Sequence, residues 1–295
     1  MLFQITHTTH YRYSQPVTLC HNEVHLRPRD QPGQSCQSNL VTIEPAPAQL
    51  HWRTDYFGNP VASFALQQAH QSLTVTATSR VERLAAQIPL LSASIAWEQV
   101  ATRVRANGSD DTWMARELVL DSPLVAVFPE LRDYASPSFA SGRPLLEAVA
   151  DLAARIHHDF AYDPDFTTVS TALSEVLRYR RGVCQDFAHL AIGCLRSLAV
   201  PARYVSGYIE TLAPPGGERW RGADASHAWV AVWEPSLGWI EIDPTNNQFV
   251  AERHVSLAWG RDYSDVTPLK GVVFGGGSHR LDVSVDVTSI GAGHA

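Results

Sequence analysis

The hydrophobic period changes at Pro201, and this change limits the possible folds more than any other feature of the chain. Ahead of it, Leu145, Val149, Leu152, Ile156 and Phe160 recur at helical spacing behind Pro144, which suits a first helical turn. A short helix over 172–179 follows, and a third begins at or near Cys184, with Phe187, Ala191, Cys194 and Leu198 along one stripe. Beyond Pro201 the period is two: ARYVSGYIE, HAWVAVWE and GWIEIDP read as antiparallel strands, the last two joined through PSLG. Helices followed by antiparallel strands give an α+β class, with helices packed on one face of a sheet.

A second block of period two occupies the other end. From Phe3 to about Val81, FQITHTTHYRY, NLVTIEP, SFALQQ and SLTVTATSRV are separated by turn chemistry such as PRDQPGQ and YFGNP. This predicts an N-terminal β-sandwich over residues 1–83. Residues 84–143 form a connecting segment with short helical candidates at 96–104, 112–119 and 129–134. Residues 144–295 form the second domain and end in the strand pair GVVFG and HRLDVSVDV.

Composition excludes several classes. The 295 residues are 45% hydrophobic with net charge −7, and no Lys/Arg block interleaves with aromatics, so a nucleic-acid partner is not expected. No run of 18 apolar residues and no basic stretch leading into an apolar one occurs, so the expectation is a cytoplasmic protein without a membrane partner. Cys20, Cys36, Cys184 and Cys194 form no C-x-x-C pair, which argues against a disulfide framework and a structural zinc site. No cofactor and no metal is expected.

Cys184 stands where a helix begins, beside backbone N–H groups that lack intrahelical partners and carry partial positive charge. Such a position favours a thiolate, and the same N–H groups can hold the oxyanion of a tetrahedral intermediate. A thiolate nucleophile needs a base, and the base needs an orienter. His227 opens one strand and Asp243 closes the next, so pairing through the 235–238 turn brings them together. Each of the three has an ordinary structural explanation taken alone: a core cysteine, a surface histidine, a strand-ending Asp-Pro. Asp186, in the helix's first turn, reads mainly as an anion favoured by the dipole.

The stretches RYRRGVCQDFAHLAIGCLRSLAVPARYVSGYI, DASHAWVAVW and GWIEIDPTNN resemble the three catalytic blocks of the transglutaminase-like superfamily, a branch of the papain-like thiol enzymes. YRYSQPV, HLRPR and DYFGNPVASF resemble the β-rich N-terminal region that accompanies this domain in bacterial relatives, and GRDYSDVTPLKGVVFGG resembles a continuation of the fold. The resemblance implies a transglutaminase-like core in which Cys184 is the nucleophile, His227 the general base and then acid, and Asp243 the orienter. Animal transglutaminases use a tryptophan before the cysteine at the oxyanion. This chain has Ala148 at the corresponding distance, which leaves backbone N–H groups, with Gln185 or Tyr162, for that role.

The reaction implied is acyl transfer on a peptide or protein amide through a thioester, ending in capture by water (peptidase or amidase) or by an amine (transglutaminase type). The competing reading is a binding or assembly module in which the sandwich recognises a partner and the thiol domain is vestigial.

Overall fold

The computed structural model describes the chain apart from residues 86–87, 107–109, 170, 211–225 and 291–295, and apart from the side chains of 110–112. Strands β1 (Leu2–Val24), β2 (Gln34–Glu44), β3 (His51–Thr54), β4 (Pro60–Leu66) and β5 (His70–Arg83) come first. Helices α1 (Trp97–Arg105), α2 (Asp110–Glu117), α3 (Pro129–Ala135) and α4 (Leu145–Asp159) follow. Strand β6 (Ala161–Tyr162), helix α5 (Leu173–Tyr179), strand β7 (Arg181–Gly182) and helix α6 (Cys184–Ser197) lead to β8 (Ala202–Ile209), β9 (His227–Glu234), β10 (Gly238–Asp243), β11 (Gln248–Phe249) and β12 (His254–Gly260). Helix α7 (Tyr263–Val266) precedes β13 (Leu269–Gly275) and β14 (His279–Ile290).

The N-terminal strands form one sheet organised by β1. At about 3.3 Å per residue a strand of this length would span roughly 75 Å if straight, far more than a small core can cover, so it bends. Its first half, Leu2 to Arg12, pairs with β5 and β14, and its second half, Val17 to Val24, pairs with β4 and β13. Phe3, Ile5, Leu73 and Val75 from one half share an apolar cluster with Val24, Ala62, Phe64 and Leu66 from the other. The expected sandwich is therefore a single sheet folded over on β1. The sequence reading left β13 and β14 in the C-terminal region, but both pair with β1. Alternation identifies a strand and leaves its partner open.

The second sheet runs β11-β10-β9-β8-β12, antiparallel throughout. Ala202 and Tyr204 of β8 and Ala228, Val230 and Val232 of β9 face α6, where Phe187, Ala191, Cys194 and Leu198 pack in the largest apolar cluster. The connecting segment joins this cluster through Val100, Val104, Ala115 and Leu131. Strand β12, unforeseen from the sequence, closes the free edge of β8 and docks the two sheets together. The Gln34 amide acts there as a strand partner, donating to the Ser256 carbonyl at 2.7 Å and accepting from the Ser256 N–H at 2.8 Å. Arg83 Nε donates to the His254 carbonyl at 2.9 Å.

Candidate active site

Cys184 is the first residue of α6 and is 8% exposed. Val183, the residue before it, has no side-chain acceptor, so the N–H groups of the first turn gain no cap from it. Asp186 satisfies the entry backbone instead: its Oδ2 accepts from Val183 N–H and from the Thr167 hydroxyl, both at 2.8 Å. Burial pushes its carboxyl pKa up, against these hydrogen bonds. Gly182 is required here because a Cβ would stand 2.7 Å from both Cβ and Oδ2 of Asp186. The turn is thus shaped to leave α6 open at its N-terminus.

His227 and Asp243 come from neighbouring strands. Ile242 pairs with Val230, so Asp243 stands one step on, opposite Trp229, and His227 is its diagonal neighbour on the same face. His227 Nε2 lies 2.8 Å from Asp243 Oδ2, and both side chains are wholly buried. Asp243 Oδ1 accepts from the backbone N–H of Thr245 at 2.9 Å and of Asn246 at 3.3 Å, and Asn246 Nδ2 donates to Oδ2 at 2.8 Å. His254 Nε2 approaches Oδ2 at 3.4 Å.

This network fixes the protons. Burial alone would raise the Asp243 pKa, but the charge and hydrogen bond of His227, then those of His254, hold it well below the carboxylate range. An ionised carboxylate only accepts, so Nε2 of His227 must carry hydrogen. In the neutral ring the lone pair is then on Nδ1, a buried atom without a hydrogen bond among the described residues. Burial opposes protonation of His227, yet the charge and hydrogen bond of Asp243, and then the Cys184 thiol, outweigh it and push the pKa up to about 10. Burial lowers the pKa of His254, against the pull of Asp243. The arrangement combines a thiol at an uncapped helix N-terminus with an imidazole oriented by a carboxylate.

Of the other residues named from the sequence, Gln185 and Tyr162 lie by the entry to α6. Gln185 donates through Nε2 to the Val169 carbonyl at 3.3 Å. Tyr162 stands on β6 opposite Gly182, its ring 6.4 Å from that of Phe187. Ala148 is buried in the helical core. Trp229 donates to Glu241 at 2.9 Å, with its ring 6.0 Å from His227 and 5.3 Å from His254. Arg261 pairs with Asp265 at 2.9 Å and Asp262 caps α7, so both hold the loop before β13. Sequence reasoning missed Asn246 and His254. Asn246 carries a signal, since Asp-Pro-Thr-Asn is a side-chain-bonded turn sequence, whereas nothing near His254 marks it.

Cys184, His227 and Asp243 all fall within one of two recognised regions of the chain. Residues 132–244 match the transglutaminase-like superfamily, and residues 3–82 match the bacterial transglutaminase-like N-terminal region. An uncharacterized protein of Mycobacterium tuberculosis is 42% identical over 97% of this chain and 92% of its own length.

The chain belongs to the transglutaminase-like superfamily.

A second uncharacterized relative, from Mycobacterium leprae, is 34% identical over 97% of this chain and 98% of its own. A stretch of 101 residues, 33% of this chain and 15% of the relative, is 36% identical to a protein-glutamine gamma-glutamyltransferase of Pseudomonas aeruginosa. Among solved structures, a candidate cysteine protease from Cytophaga hutchinsonii covers the whole chain, and 92% of its own is covered, with a TM-score of 0.76 at 19% identity. That likeness shows a common fold across both sheets of this superfamily member. None of the helices among the described residues is long and apolar enough to cross a membrane.

Proposed function

We propose that this protein is a cysteine-dependent enzyme that transfers acyl groups from amides of peptides or proteins through a thioester. Cys184 Sγ attacks the amide carbonyl carbon, and the carbonyl oxygen takes the negative charge at the first-turn N–H groups of α6. His227, protonated at Nδ1 by the departing thiol proton, returns that proton to the leaving nitrogen, and the C–N bond breaks to leave Cys184 acylated. Water or a second amine then attacks the thioester while His227 accepts its proton, and the C–S bond breaks to release the acid or the new amide and return Cys184 as thiolate beside the imidazolium. Asp243 keeps Nε2 protonated and stabilises the imidazolium throughout.

One observation carries this reading: a wholly buried His227–Asp243 pair, with the Cys184 thiol near enough to add to the rise of the His227 pKa. The name of the Pseudomonas aeruginosa relative supports protein glutamine as an acyl donor. With four free cysteines we assign the enzyme to a reducing compartment, the cytoplasm. The test is incubation with a glutamine-containing protein and a biotinylated primary amine, followed by mass spectrometry of intact enzyme and products. An acyl adduct on Cys184 with biotin incorporation supports amine transfer, and the adduct with glutamate formation or chain cleavage supports hydrolysis. Absence of any adduct, with Cys184 alkylated no faster than in the His227→Ala variant, overturns the enzyme reading.

A further inference from the structure

On the face of the second sheet away from α6 lies a cavity of about 490 Å³ between the two sheets. Arg203 lines it. Its neighbours on β8, Ala202 and Tyr204, face the helices, so Arg203 points the other way by strand alternation. Arg203 is 5% exposed, and its guanidinium lies 4.3 Å from the ring centre of Trp239 and 3.7 Å from that of Trp259. Arg29 stands 3.5 Å from the centre of the same Trp259 ring, so the two cations occupy opposite faces. Arg203 is thus held by its flat faces, and its buried Nε has no hydrogen-bond partner among the described residues. The donors of a buried guanidinium are ordinarily hydrogen-bonded, and among the described residues the Nε of Arg203 is not.

The neighbouring groups narrow what could meet it. Glu241 lines the same cavity but is committed to Trp229 Nε1 at 2.9 Å and to the Ser256 hydroxyl at 3.4 Å, and forms no ion pair with Arg203 among the described residues. Arg83 is committed to the His254 and Gly33 carbonyls. The charged lining is Arg83 and Arg203 against Glu241, a net of one positive charge. The rest of the wall is mostly apolar, with Leu84, Ile88, Phe249 and Val250, and its one uncharged polar side chain among the described residues, Gln31, is committed to the Ser256 hydroxyl at 3.1 Å. A single positive charge in an apolar wall suits a monoanion with an apolar body, and the fork of a guanidinium suits a carboxylate.

We infer that this cleft is a second binding site, distinct from the Cys184 centre, for a carboxylate carried on a short apolar chain, with Arg203 as its anchor. The same chemistry occurs in a free branched-chain acid and in the C-terminus of a peptide ending in a leucine-like residue.

Isothermal titration calorimetry of the full chain with 4-methylpentanoate, and separately with N-acetyl-Ala-Leu, tests the site and its source. Each acid is compared with its amide. Saturable binding of either acid, at least tenfold tighter than its amide, is expected, and the tighter of the two acids identifies the source. Arg203→Lys keeps the charge and loses the fork, and should weaken binding about tenfold. Should that variant not fold, Ile88→Glu at the rim, where Ile88 is 52% exposed, places a second carboxylate beside the site and should weaken binding by at least as much. Equal affinity for acid and amide, or unchanged binding in Ile88→Glu, overturns the inference. So does a crystal structure grown with the acid that shows water alone at the guanidinium.

Discussion

His254 Nε2 lies 3.4 Å from Asp243 Oδ2, the oxygen that also meets His227 at 2.8 Å. One carboxylate thus holds two imidazoles, and only the shorter contact belongs to the ring beside Cys184. Burial keeps His254 neutral at physiological pH, so it can donate to Asp243 without competing for its charge. The backbone carbonyl of the same residue receives Arg83 from the N-terminal sheet. His254 is therefore a positioning residue in this reading, and the docking of the sheets bears on the orientation of His227. A hydrogen bond to a charged group contributes about 1.5–3 kcal/mol, and this long one belongs at the low end. His254→Phe should reduce kcat by about tenfold with little change in KM, and should slow Cys184 alkylation by a similar factor. His254→Gln, which can still donate, should recover part of both, and equal rates in both variants and the parent would count against the role.

The proposed nucleophile and the proposed orienter should differ in what their loss does. Cys184→Ser removes the attacking atom and should abolish turnover with an unchanged melting temperature. Asp243→Asn should retain measurable activity, because it misorients a base that is still present. Asp243→Ala should also destabilise the fold by about 3–5 kcal/mol, since it leaves a wholly buried imidazole without its counterion. Kinetics and thermal unfolding of the three variants, measured side by side, check the ordering.

Asp186 makes a structural prediction with a functional readout. Its carboxylate joins Val183 and Thr167 at the entry to α6, so Asp186→Ala should cost about 1–3 kcal/mol of stability. The same change should slow alkylation of Cys184, which sits on the turn that Asp186 holds. Circular dichroism melts and iodoacetamide kinetics on one preparation separate the two effects.

Acid sensitivity should come partly from His7, where the N-terminal sheet meets β8. His7 is buried against the Tyr208 hydroxyl at 3.0 Å and the Thr9 hydroxyl at 3.1 Å, and burial lowers its pKa to about 4. Between that value and the unfolded value near 6.5 the unfolded chain binds more protons, so stability rises with pH across this window and is lost as pH falls through it. The contribution amounts to about 3 kcal/mol when fully expressed. His189, lowered to about 4 by burial, acts with the same sign. Denaturant unfolding between pH 4 and 7 should show this slope, and His7→Gln should reduce it without removing the share of His189.

Much of the fold can be read from the chain because periodicity is local. Pro144, the stripe from Leu145 to Phe160 and the switch at Pro201 place α4, α6 and β8 to β10 within a residue or two of where they lie. The nearness of His227 to Asp243 was also legible, since a two-strand turn fixes register over a short distance. By itself, then, the sequence determined the elements and the contacts made between neighbours in the chain. Only the tertiary structure decided that β13 and β14 complete the N-terminal sheet, that β12 brings His254 to Asp243, and that Arg203 lies between two indoles 36 and 56 residues away. The physical reason is that alternation says which face a side chain takes but carries no information about the distant surface that face will meet. That choice is made by the burial of whole faces against one another.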